Sequence, residues 1–308
     1  MRVAITGASG LIGSALSVAL RERGDEVVAV SRRAGAEIRW DPRAGFDPPE
    51  RLSGVDVVVN LAGESIAGRW TAAKKARILD SRLHATRAVV AALRAASPRP
   101  RVLINASATG IYGARGDELL DEDSAAGPQG EFLADVTRAW EAAAREAEAI
   151  ETPRVRVCLA RFGVVLDREG GALAKMLTPF RLGAGGRIGS GRQWMPWVHA
   201  RDVVAALVFL IDEHEARGVY NLVAPQPVRN AAFTSALGHA LGRPTLVPMP
   251  RLAVKLALGE MGEALLLDGQ RVTPRRLMEG GFEFAFPRID AAFAELLGEA
   301  PRRSGPRP

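Results

Sequence analysis

Three glycines near the start of the chain have the spacing of a phosphate-binding turn. The segment TGASGLIG (6–13) stands between the apolar run RVAIT and an amphipathic helical pattern. Glycine is suited to a tight turn, to a backbone that approaches a diphosphate, and to close packing of a helix on a strand. The free N–H groups at the start of the helix would then face the phosphates. The predicted dinucleotide contacts of this loop are Gly7, Ser9, Gly10, Leu11, Ile12 and Gly13.

The residues after the second apolar run indicate which dinucleotide is bound. A chain that uses NAD usually presents a carboxylate there, which accepts a hydrogen bond from the ribose 2′-hydroxyl. The sequence VSRRAG instead places Ser31, Arg32 and Arg33 at this point. A guanidinium suits a 2′-phosphate because it forms charge-assisted hydrogen bonds with the phosphate oxygens. The sequence therefore favours NADP(H), with two solvated arginines as the alternative.

Apolar runs and helical patterns alternate along the first half of the chain. The runs cover 2–6, 26–31, 56–62 and 101–107, and the longer helical patterns cover 71–96 and about 131–148. Nearly continuous apolar strands separated by helices indicate a parallel sheet that is covered on both faces. We predict an α/β fold, a Rossmann-type doubly wound parallel sheet with a smaller, mostly helical C-terminal region that forms a substrate lid.

Prolines and glycines divide the rest of the chain into short elements. We expect an NADP-binding domain at 1–224, a small C-terminal domain at 225–298 and a disordered Pro- and Arg-rich tail at 299–308. Residues 166–195 are expected to contribute to the substrate side. The loop GRIGSGRQWMPW (186–197) could close over a ligand, or it could be a surface loop with buried tryptophans.

The composition argues against several function classes. The net charge of +6 comes from scattered arginines, so we expect no nucleic-acid partner. No apolar run approaches the roughly 18 residues of a membrane span, and Met1 is followed at once by a strand, so we expect a cytoplasmic protein without a membrane partner. Cys158 is interpreted as a buried apolar filler, and four scattered histidines predict no metal site.

Six segments together resemble one protein family. NLAGESIAGRW, DSRLHAT, SATGIYG, GSGRQWMPWVHARD, YNLVAPQPVRNAAF and GEMGEALLLDGQRVTPRRL span nearly the whole chain. With the glycine loop they resemble the extended short-chain dehydrogenase/reductase superfamily. Within it, they resemble an atypical group of NAD(P)-dependent epimerase/dehydratase-like proteins with a C-terminal domain of unknown function. The resemblance implies a cofactor or substrate contact for Arg82. The other cofactor contacts taken from it are Leu61, Ala62 and Gly63 on the adenine and ribose side, Ser107, and Phe162 and Val164 near the nicotinamide.

The acid–base residues of that superfamily are missing from their expected places. Its members carry a Tyr-x-x-x-Lys pair on the helix after the SATGIYG-like strand, and a Ser or Thr near the end of that strand. Registering on Glu141 places Leu133 and Thr137 in the positions of the pair, and Ala108 in the position of the Ser or Thr. Neither Leu nor Thr provides a phenol whose pKa a nearby ammonium group lowers. The standard relay is therefore unavailable.

Three other residues could handle a proton, and each has a structural alternative. Tyr112 lies at a strand end near the expected nicotinamide site, although a tyrosine in this place is usually structural or substrate-lining in similar proteins. His199 could titrate near neutral pH, but Asp202 at the start of the following helix favours a structural junction. Glu64 could face either the cofactor or water. Tyr112 is the catalytic candidate, and the catalytic residues are otherwise unknown.

Two functions from different classes remain open. The first is an NADP-dependent oxidoreductase or epimerase with an unknown small-molecule substrate and a non-standard proton relay. The second is a non-catalytic NADP(H)-binding sensor or regulatory protein, which the missing relay favours. The glycine loop, Arg32 and the C-terminal region agree with both. The number of subunits also stays open, and a homodimer is one arrangement.

Overall fold

The computed structural model describes residues 1–33, 35–151 and 154–298. Its strands are β1 Arg2–Thr6, β2 Glu26–Ser31, β3 Ile38–Asp41, β4 Gly45–Phe46, β5 Val57–Asn60, β6 Val102–Ala108, β7 Leu119–Leu120, β8 Arg156–Phe162, β9 Val164–Leu166, β10 Trp194–Met195, β11 Trp197–His199, β12 Gly218–Leu222, β13 Val228–Arg229 and β14 Arg271–Val272. Its α-helices are α1 Leu11–Glu22, α2 Ala72–Ala95, α3 Phe132–Arg145, α4 Gly171–Arg181, α5 Ala200–Asp212, α6 Asn230–Leu241, α7 Arg251–Gly262, α8 Arg275–Glu279 and α9 Ile289–Leu297. The tail predicted to be disordered, 299–308, lies outside the described residues.

The central sheet of the described chain has eight strands in the order β12–β8–β6–β5–β1–β2–β3–β4. Every neighbouring pair is parallel except β3 and β4, which are antiparallel at one edge. The strand order reverses between β1 and β5. In an open α/β sheet, ligands bind in the crevice beyond the carboxyl ends of the strands at such a reversal. The predicted Rossmann-type fold is confirmed.

Helices cover both faces of this sheet, which explains why the inner strands do not alternate between apolar and polar residues. One apolar core joins the sheet to α2 and α3, and includes Val89, Leu93 and Ala144. The core on the opposite face joins the sheet to α1 and α5, and includes Leu16 and Leu207. All four residues of β5 are buried. A parallel strand that is covered on both faces must be apolar on both.

The C-terminal region is mostly helical and is tied to the rest of the chain by short strand pairs. Strand β10 pairs with β13, and β14 pairs with β7. Phe233 of α6 and Phe293 of α9 pack edge to face, with ring centroids 5.1 Å apart, in a third apolar core. The same core includes Leu166 of β9 and Trp197 of β11, so α6 and α9 pack against these short strands.

The predicted long helices agree closely with α2 and α3. Helix α3 is followed by a short 3₁₀ turn, Glu146–Ala149, which completes the predicted span. The antiparallel pair β3 and β4 was not predicted. Trp40 of β3 and Phe46 of β4 pack together with ring centroids 5.1 Å apart. Such short strands take their structure from this tertiary contact more than from local pattern.

Candidate functional site

The glycine loop has the backbone geometry that its sequence predicts. Gly7 has a φ of 71°, and a Cβ there would lie 2.9 Å from the carbonyl oxygen of Leu61. A Cβ on Gly13 would lie 2.3 Å from the carbonyl oxygen of Gly7, so helix α1 could not pack this closely with a side chain there. Gly10 is the N-cap of α1 and has no side chain to bond the first N–H groups. These N–H groups, at the positive end of the helix dipole, suit an anion.

A threonine hydroxyl holds the NLAG segment against the glycine loop. Thr6 Oγ1 donates to Asn60 Oδ1 at 2.6 Å. The same oxygen accepts the backbone N–H groups of Leu61 at 3.1 Å and Ala62 at 3.2 Å. Because Thr6 is fully buried at the end of β1, these contacts fix the position of the segment that follows β5. The two strand ends at the reversal therefore form one rigid edge.

A cavity of about 520 Å³, here called the glycine pocket, opens at this edge. Most of the predicted cofactor residues line it. They are Gly7, Ser9, Gly10, Ser31, Arg32, Arg33, Leu61, Ala62 and Gly63. The lining residues that sequence reasoning missed include Trp40, Asp41, Arg43, Arg77 and His84. The alternating segment IRWD of β3 could have indicated Trp40 and Asp41 from the sequence. Arg77 and His84 line the pocket because of the way α2 is rotated about its axis.

The charges of the glycine pocket are predominantly basic where the second strand ends. Arg32 and Arg33 are exposed and form no ion pair with any residue in the described ranges. The carboxyl group of Glu64 also lines the pocket, but it accepts a hydrogen bond from Lys74 Nζ at 2.7 Å. That hydrogen bond lowers the pKa of Glu64. Arg32 and Arg33 are therefore available to an anionic ligand.

A second cavity, here called the apolar pocket, has a volume of about 990 Å³ and lies beyond the carboxyl ends of β6 and β8. Its wall is built from α2, α3, α4, the loop before β10 and the segment around α7. Its large apolar side chains are Leu11, Ile66, Ile78, Leu133, Val136, Trp140, Phe162, Val164, Val165, Met176, Phe180, Ile188, Trp194, Met195, Phe233, Val247, Met249, Leu258, Met261, Leu265 and Leu266. The predicted residues Leu11, Phe162 and Val164 are among them.

The three positions that would carry the standard proton relay all line the apolar pocket. Ala108 is at the end of β6, and Leu133 and Thr137 are one turn apart on α3. The Thr137 hydroxyl donates to the carbonyl oxygen of Leu133 at 2.7 Å. Its proton is therefore engaged within the helix. These positions carry no phenol and no ammonium group, so the pocket has the relay's geometry without its chemistry.

Tyr112 lies in a different environment from the one that its sequence position suggested. It is fully buried and lines neither the glycine pocket nor the apolar pocket. Its hydroxyl oxygen lies 2.8 Å from the carbonyl oxygen of Asp121 and 2.8 Å from Asn221 Oδ1, and it accepts a hydrogen bond from Arg161 Nη1 at 2.8 Å. Burial raises the pKa of Tyr112. These contacts are those of a structural tyrosine.

A buried ion pair continues this network behind the pocket wall. Arg161 donates to both carboxyl oxygens of Glu141, at 2.7 and 2.9 Å. Ser107 Oγ donates to the same carboxylate at 2.6 Å. Ser107 lines neither pocket, because it lies in this buried network. The predicted residues Ile12 and Gly13 also line neither pocket. Gly13 serves the site through close packing, and Ile12 packs into the core that α1 shares with the sheet.

Arg82 lies on the wall of the apolar pocket and has an unusual set of partners. Its Nη1 donates to the carbonyl oxygens of Glu64 and Ile78, both at 3.0 Å. Its guanidinium lies over the ring of Trp140, 5.0 Å from the centroid. Burial lowers the pKa of Arg82 to about 10. No carboxylate of the described residues forms an ion pair with it.

The remaining titratable candidates have structural contacts. His199 is buried, its Nδ1 accepts the backbone N–H of Arg201 at 3.0 Å, and its Nε2 lies 2.9 Å from a carboxyl oxygen of Glu295. Burial raises the pKa of the Cys158 thiol to about 11. Across the described ranges there is no group of three or more His, Cys, Asp or Glu side chains that could hold a metal ion. Within the same ranges, no helix is long and apolar enough to cross a membrane.

The glycine-rich loop 186–197 lines the apolar pocket and is also packed into the fold. Ile188, Gln193 and Trp194 line the apolar pocket. The Gln193 side-chain amide donates to the carbonyl oxygens of Ile188 and Leu266, at 3.0 and 2.8 Å. Trp197 is buried in the core, as the alternative interpretation had it. The loop is therefore both a pocket wall and a packed structural segment.

Two family models match the chain. The NAD dependent epimerase/dehydratase family matches residues 3–222. A domain of unknown function, DUF1731, matches residues 249–296. The first match contains the glycine loop, the relay positions and both halves of the strand reversal. The second contains part of the apolar pocket wall, from Met249 to Gln270.

Relatives with full-length similarity occur in bacteria and in mammals. An epimerase family protein of Mycobacterium tuberculosis is 45% identical over 307 residues, which cover 98% of each chain. A crystal structure of human epimerase family protein SDR39U1 (isoform 2) with NADPH is 38% identical, covers 97% of this chain and 100% of the human one, and has a TM-score of 0.90. A nucleoside-diphosphate sugar epimerase from Corynebacterium glutamicum is 33% identical, with a TM-score of 0.78, over 97% of this chain and 58% of that chain.

Proposed function

The chain belongs to the NAD dependent epimerase/dehydratase family, and we propose that it binds NADP(H) and acts as an oxidoreductase whose proton relay does not use a Tyr-x-x-x-Lys pair. One observation carries the proposal. The glycine pocket joins the phosphate-binding loop to Arg32 and Arg33, and it lies beside the apolar pocket at the reversal of strand order. In an open α/β sheet a dinucleotide binds across the crevice at this reversal, with its pyrophosphate at the start of the first helix.

The residues of the glycine loop fit a bound dinucleotide. Gly7 and Gly13 leave no space for a Cβ, and Gly10 leaves the start of α1 uncovered. The pyrophosphate would be held by the N–H groups there, and Leu61 to Gly63 would face the adenosine half. Arg32 and Arg33, without carboxylate partners in the described chain, would bind the 2′-phosphate. The human SDR39U1 structure with NADPH supports this choice of cofactor.

The apolar pocket would hold the nicotinamide beside Phe162 and Val164. When bound, NADPH supplies a hydride from its nicotinamide ring. The wall is mainly apolar, so the chain's own residues would leave few water molecules ordered beside the nicotinamide ring. A carbonyl substrate would receive its proton from water or from a polar group on the wall, since Tyr112 is held in the buried network behind it.

Oxidation or reduction suits this pocket better than epimerisation. An epimerase removes hydride and proton from the substrate and returns both, so it needs a positioned base in each half of the reaction. Ala108, Leu133 and Thr137 cannot be that base. Of the oxidoreductase and epimerase activities expected from the sequence, we therefore propose the first.

We also propose that the domain boundary lies between residues 224 and 225, as the sequence predicts. The two family matches support this boundary, since one ends at residue 222 and the other begins at residue 249.

A non-catalytic NADP(H)-binding sensor is the second candidate function. The observation that favours it is the combination of a formed glycine pocket with relay positions that have no acid–base group. In that case NADP(H) binding would stabilise one arrangement of the C-terminal region for a partner or for regulation.

Calorimetry with NADPH and NADH tests the shared part of the two candidates. We expect tight binding of NADPH and at least about ten-fold weaker binding of NADH, because one charge-assisted contact contributes about 1.5–3 kcal/mol. A panel of aldehydes and ketones then separates the candidates through loss of the reduced-nicotinamide absorbance. Absence of heat with either nucleotide would remove both candidate functions.

A further inference from the structure

The chemistry of the apolar pocket identifies a class of substrate, on the premise of the proposed function. The pocket volume of about 990 Å³ is at the upper end of small-molecule sites, so it has room for a substrate beside a nicotinamide ring. Its wall is mainly aromatic, aliphatic and thioether side chains, and of its polar side chains Thr137, Gln193 and Asn230 already form hydrogen bonds within the protein. Nucleotide sugars carry two phosphates and several hydroxyl groups, each of which loses water on entry and needs a partner. A wall that is mainly apolar makes the entry of such a molecule costly.

The mouth of the pocket is apolar as well. Val247, Met249 and Leu265 line the cavity, yet 54%, 47% and 36% of their surfaces are exposed. An apolar molecule that enters would cover these side chains and gain the free energy of burying them. A polar molecule would gain nothing from them. The rim and the interior therefore favour the same kind of ligand.

One partly buried cation faces this apolar space. The charged residues that line the pocket in the described chain are Arg82, Lys175 and Asp268. Lys175 and Asp268 are exposed, so water screens their charges, whereas Arg82 is partly enclosed by Trp140 and the main chain of α2. Nη1 of Arg82 bonds two carbonyl oxygens, while Nε and Nη2 have no hydrogen-bond partner in the described residues. Neither nitrogen is among the buried polar atoms without a partner, so both are accessible.

A guanidinium with accessible donors and no carboxylate partner is complementary to an anionic group. We propose that the substrate is an apolar small molecule with a single carboxylate, which pairs with Arg82 while the aliphatic or aromatic body fills the apolar pocket. Its reacting group is a carbonyl or the corresponding alcohol. In the reducing direction the carbonyl carbon receives the hydride, the oxygen receives a proton from water, and the products are the alcohol, NADP⁺ and hydroxide.

Calorimetry on the full chain, with and without saturating NADPH, tests this class with three probes. Decanoate has the apolar body and the carboxylate, decanamide has the same body without the charge, and UDP-glucose represents nucleotide sugars. We expect decanoate to bind more tightly than decanamide, and UDP-glucose to bind weakest. Shortening decanoate to octanoate should weaken binding about ten-fold, because each buried methylene contributes roughly a three- to four-fold change.

Variants then assign the carboxylate to Arg82. Arg82→Met should weaken decanoate at least about ten-fold and leave decanamide within about two-fold, and Arg82→Lys should recover part of the decanoate affinity. Arg87→Met is the matched control, since it removes the same charge from an exposed position of the same helix. Thermal unfolding shows whether each variant is folded. If Arg82→Met does not fold, the comparison of Arg82→Lys with the wild type still tests the proposal.

Several results would overturn the inference. They are tighter binding of UDP-glucose than of decanoate, an equal loss of decanamide in Arg82→Met, a loss of decanoate in Lys175→Met instead of Arg82→Met, or a loss of NADPH affinity in Arg82→Met. Binding of NADPH without binding of decanoate removes the substrate class and leaves the proposed function intact. If the chain binds decanoate through Arg82 but binds no NADPH, the proposed function is removed and the carboxylate site at Arg82 is kept.

Discussion

Thr137 and Leu133 lie one turn apart on α3, joined by a 2.7 Å hydrogen bond from the threonine hydroxyl to the leucine carbonyl oxygen. Both side chains reach the apolar pocket. They occupy the positions where the superfamily resemblance places the lysine and the tyrosine of a proton relay. A helix that keeps this geometry with an aliphatic side chain and an internally bonded hydroxyl can position a substrate, but it cannot shuttle a proton.

Replacement of Arg32 tests the 2′-phosphate assignment. In Arg32→Asp the guanidinium is replaced by a carboxylate that repels the phosphate, so NADPH affinity should fall at least about ten-fold more than NADH affinity. Arg39→Asp is the control, because Arg39 is exposed on β3 and does not line the glycine pocket. Fluorescence titration of both nucleotides measures the difference. Equal losses for NADPH and NADH would contradict the assignment.

Gly13 is expected to tolerate no side chain. The Cβ of Gly13→Ala would meet the Gly7 carbonyl oxygen at 2.3 Å, so the loop or the helix must shift away from the phosphate-binding position. NADPH affinity should fall at least about ten-fold, in line with the cost of overpacking a rigid contact. Val18→Ala, an exposed change on the same helix, should bind NADPH as the wild type does. An unchanged affinity in Gly13→Ala would show that the loop does not approach the ligand.

The Glu141–Arg161 pair should dominate the stability of the pocket wall. Both side chains are less than 8% exposed, so Glu141→Gln leaves Arg161 as a buried cation without a full counter-charge, at a cost on the order of 3 kcal/mol. Glu215→Gln breaks an exposed pair with Arg217 and should cost less than about 1 kcal/mol. Urea unfolding of the two variants measures both values. Similar midpoints for the two would refute the role given to the buried pair.

Tyr112→Phe separates a structural tyrosine from a catalytic one. Loss of the hydroxyl leaves Arg161 Nη1 and Asn221 with one partner fewer, so the free energy of unfolding should fall by about 1–2 kcal/mol. NADPH affinity and any NADPH-dependent turnover should persist, because the hydroxyl does not reach either pocket. Complete loss of turnover in a folded Tyr112→Phe chain would instead identify Tyr112 as the proton donor.

His199 should make the folded chain sensitive to acid. Burial lowers the pKa of His199 below its ordinary value of about 6.5, although the neighbouring Glu295 and Asp202 act in the opposite direction and Arg201 acts with burial. As pH falls below about 6.5, the unfolded chain takes up a proton at this histidine before the folded chain does. Its contribution to stability is therefore fully present above that pH and declines on acidification, by at most about 1.4 kcal/mol per pH unit.

The comparison of wild type with His199→Asn isolates this effect from other titrating groups. Asparagine can still accept the Arg201 N–H at the start of α5. The stability advantage of the wild type over the variant should be constant above about pH 7 and should shrink below about pH 6.5. Urea unfolding across this range measures it, and an advantage that grew on acidification would have the wrong sign.

The glycine loop and the parallel sheet were readable from the sequence because their requirements are local. Gly7 has a φ of 71°, a Cβ on Gly13 would meet the carbonyl oxygen of Gly7 within the same loop, and strands that are covered on both faces are apolar along most of their length. The resemblance of six segments to one family was also found from the sequence, and the family match over residues 3–222 agrees with it. The 2′-phosphate contacts proposed for Arg32 and Arg33 were likewise predicted from the position of these residues directly after β2.

Only the tertiary structure decided which side chains share the apolar pocket. Its wall combines Arg82 of α2, Leu133 of α3, the loop before β10 and the segment after α7. The rotation of each helix is set by long-range packing that no short window of sequence contains. The same packing turned Tyr112 away from the site and into the network with Arg161 and Asn221. The sequence by itself therefore determined the phosphate-binding loop and the loss of the usual relay, while the folded chain decided what the pocket can hold.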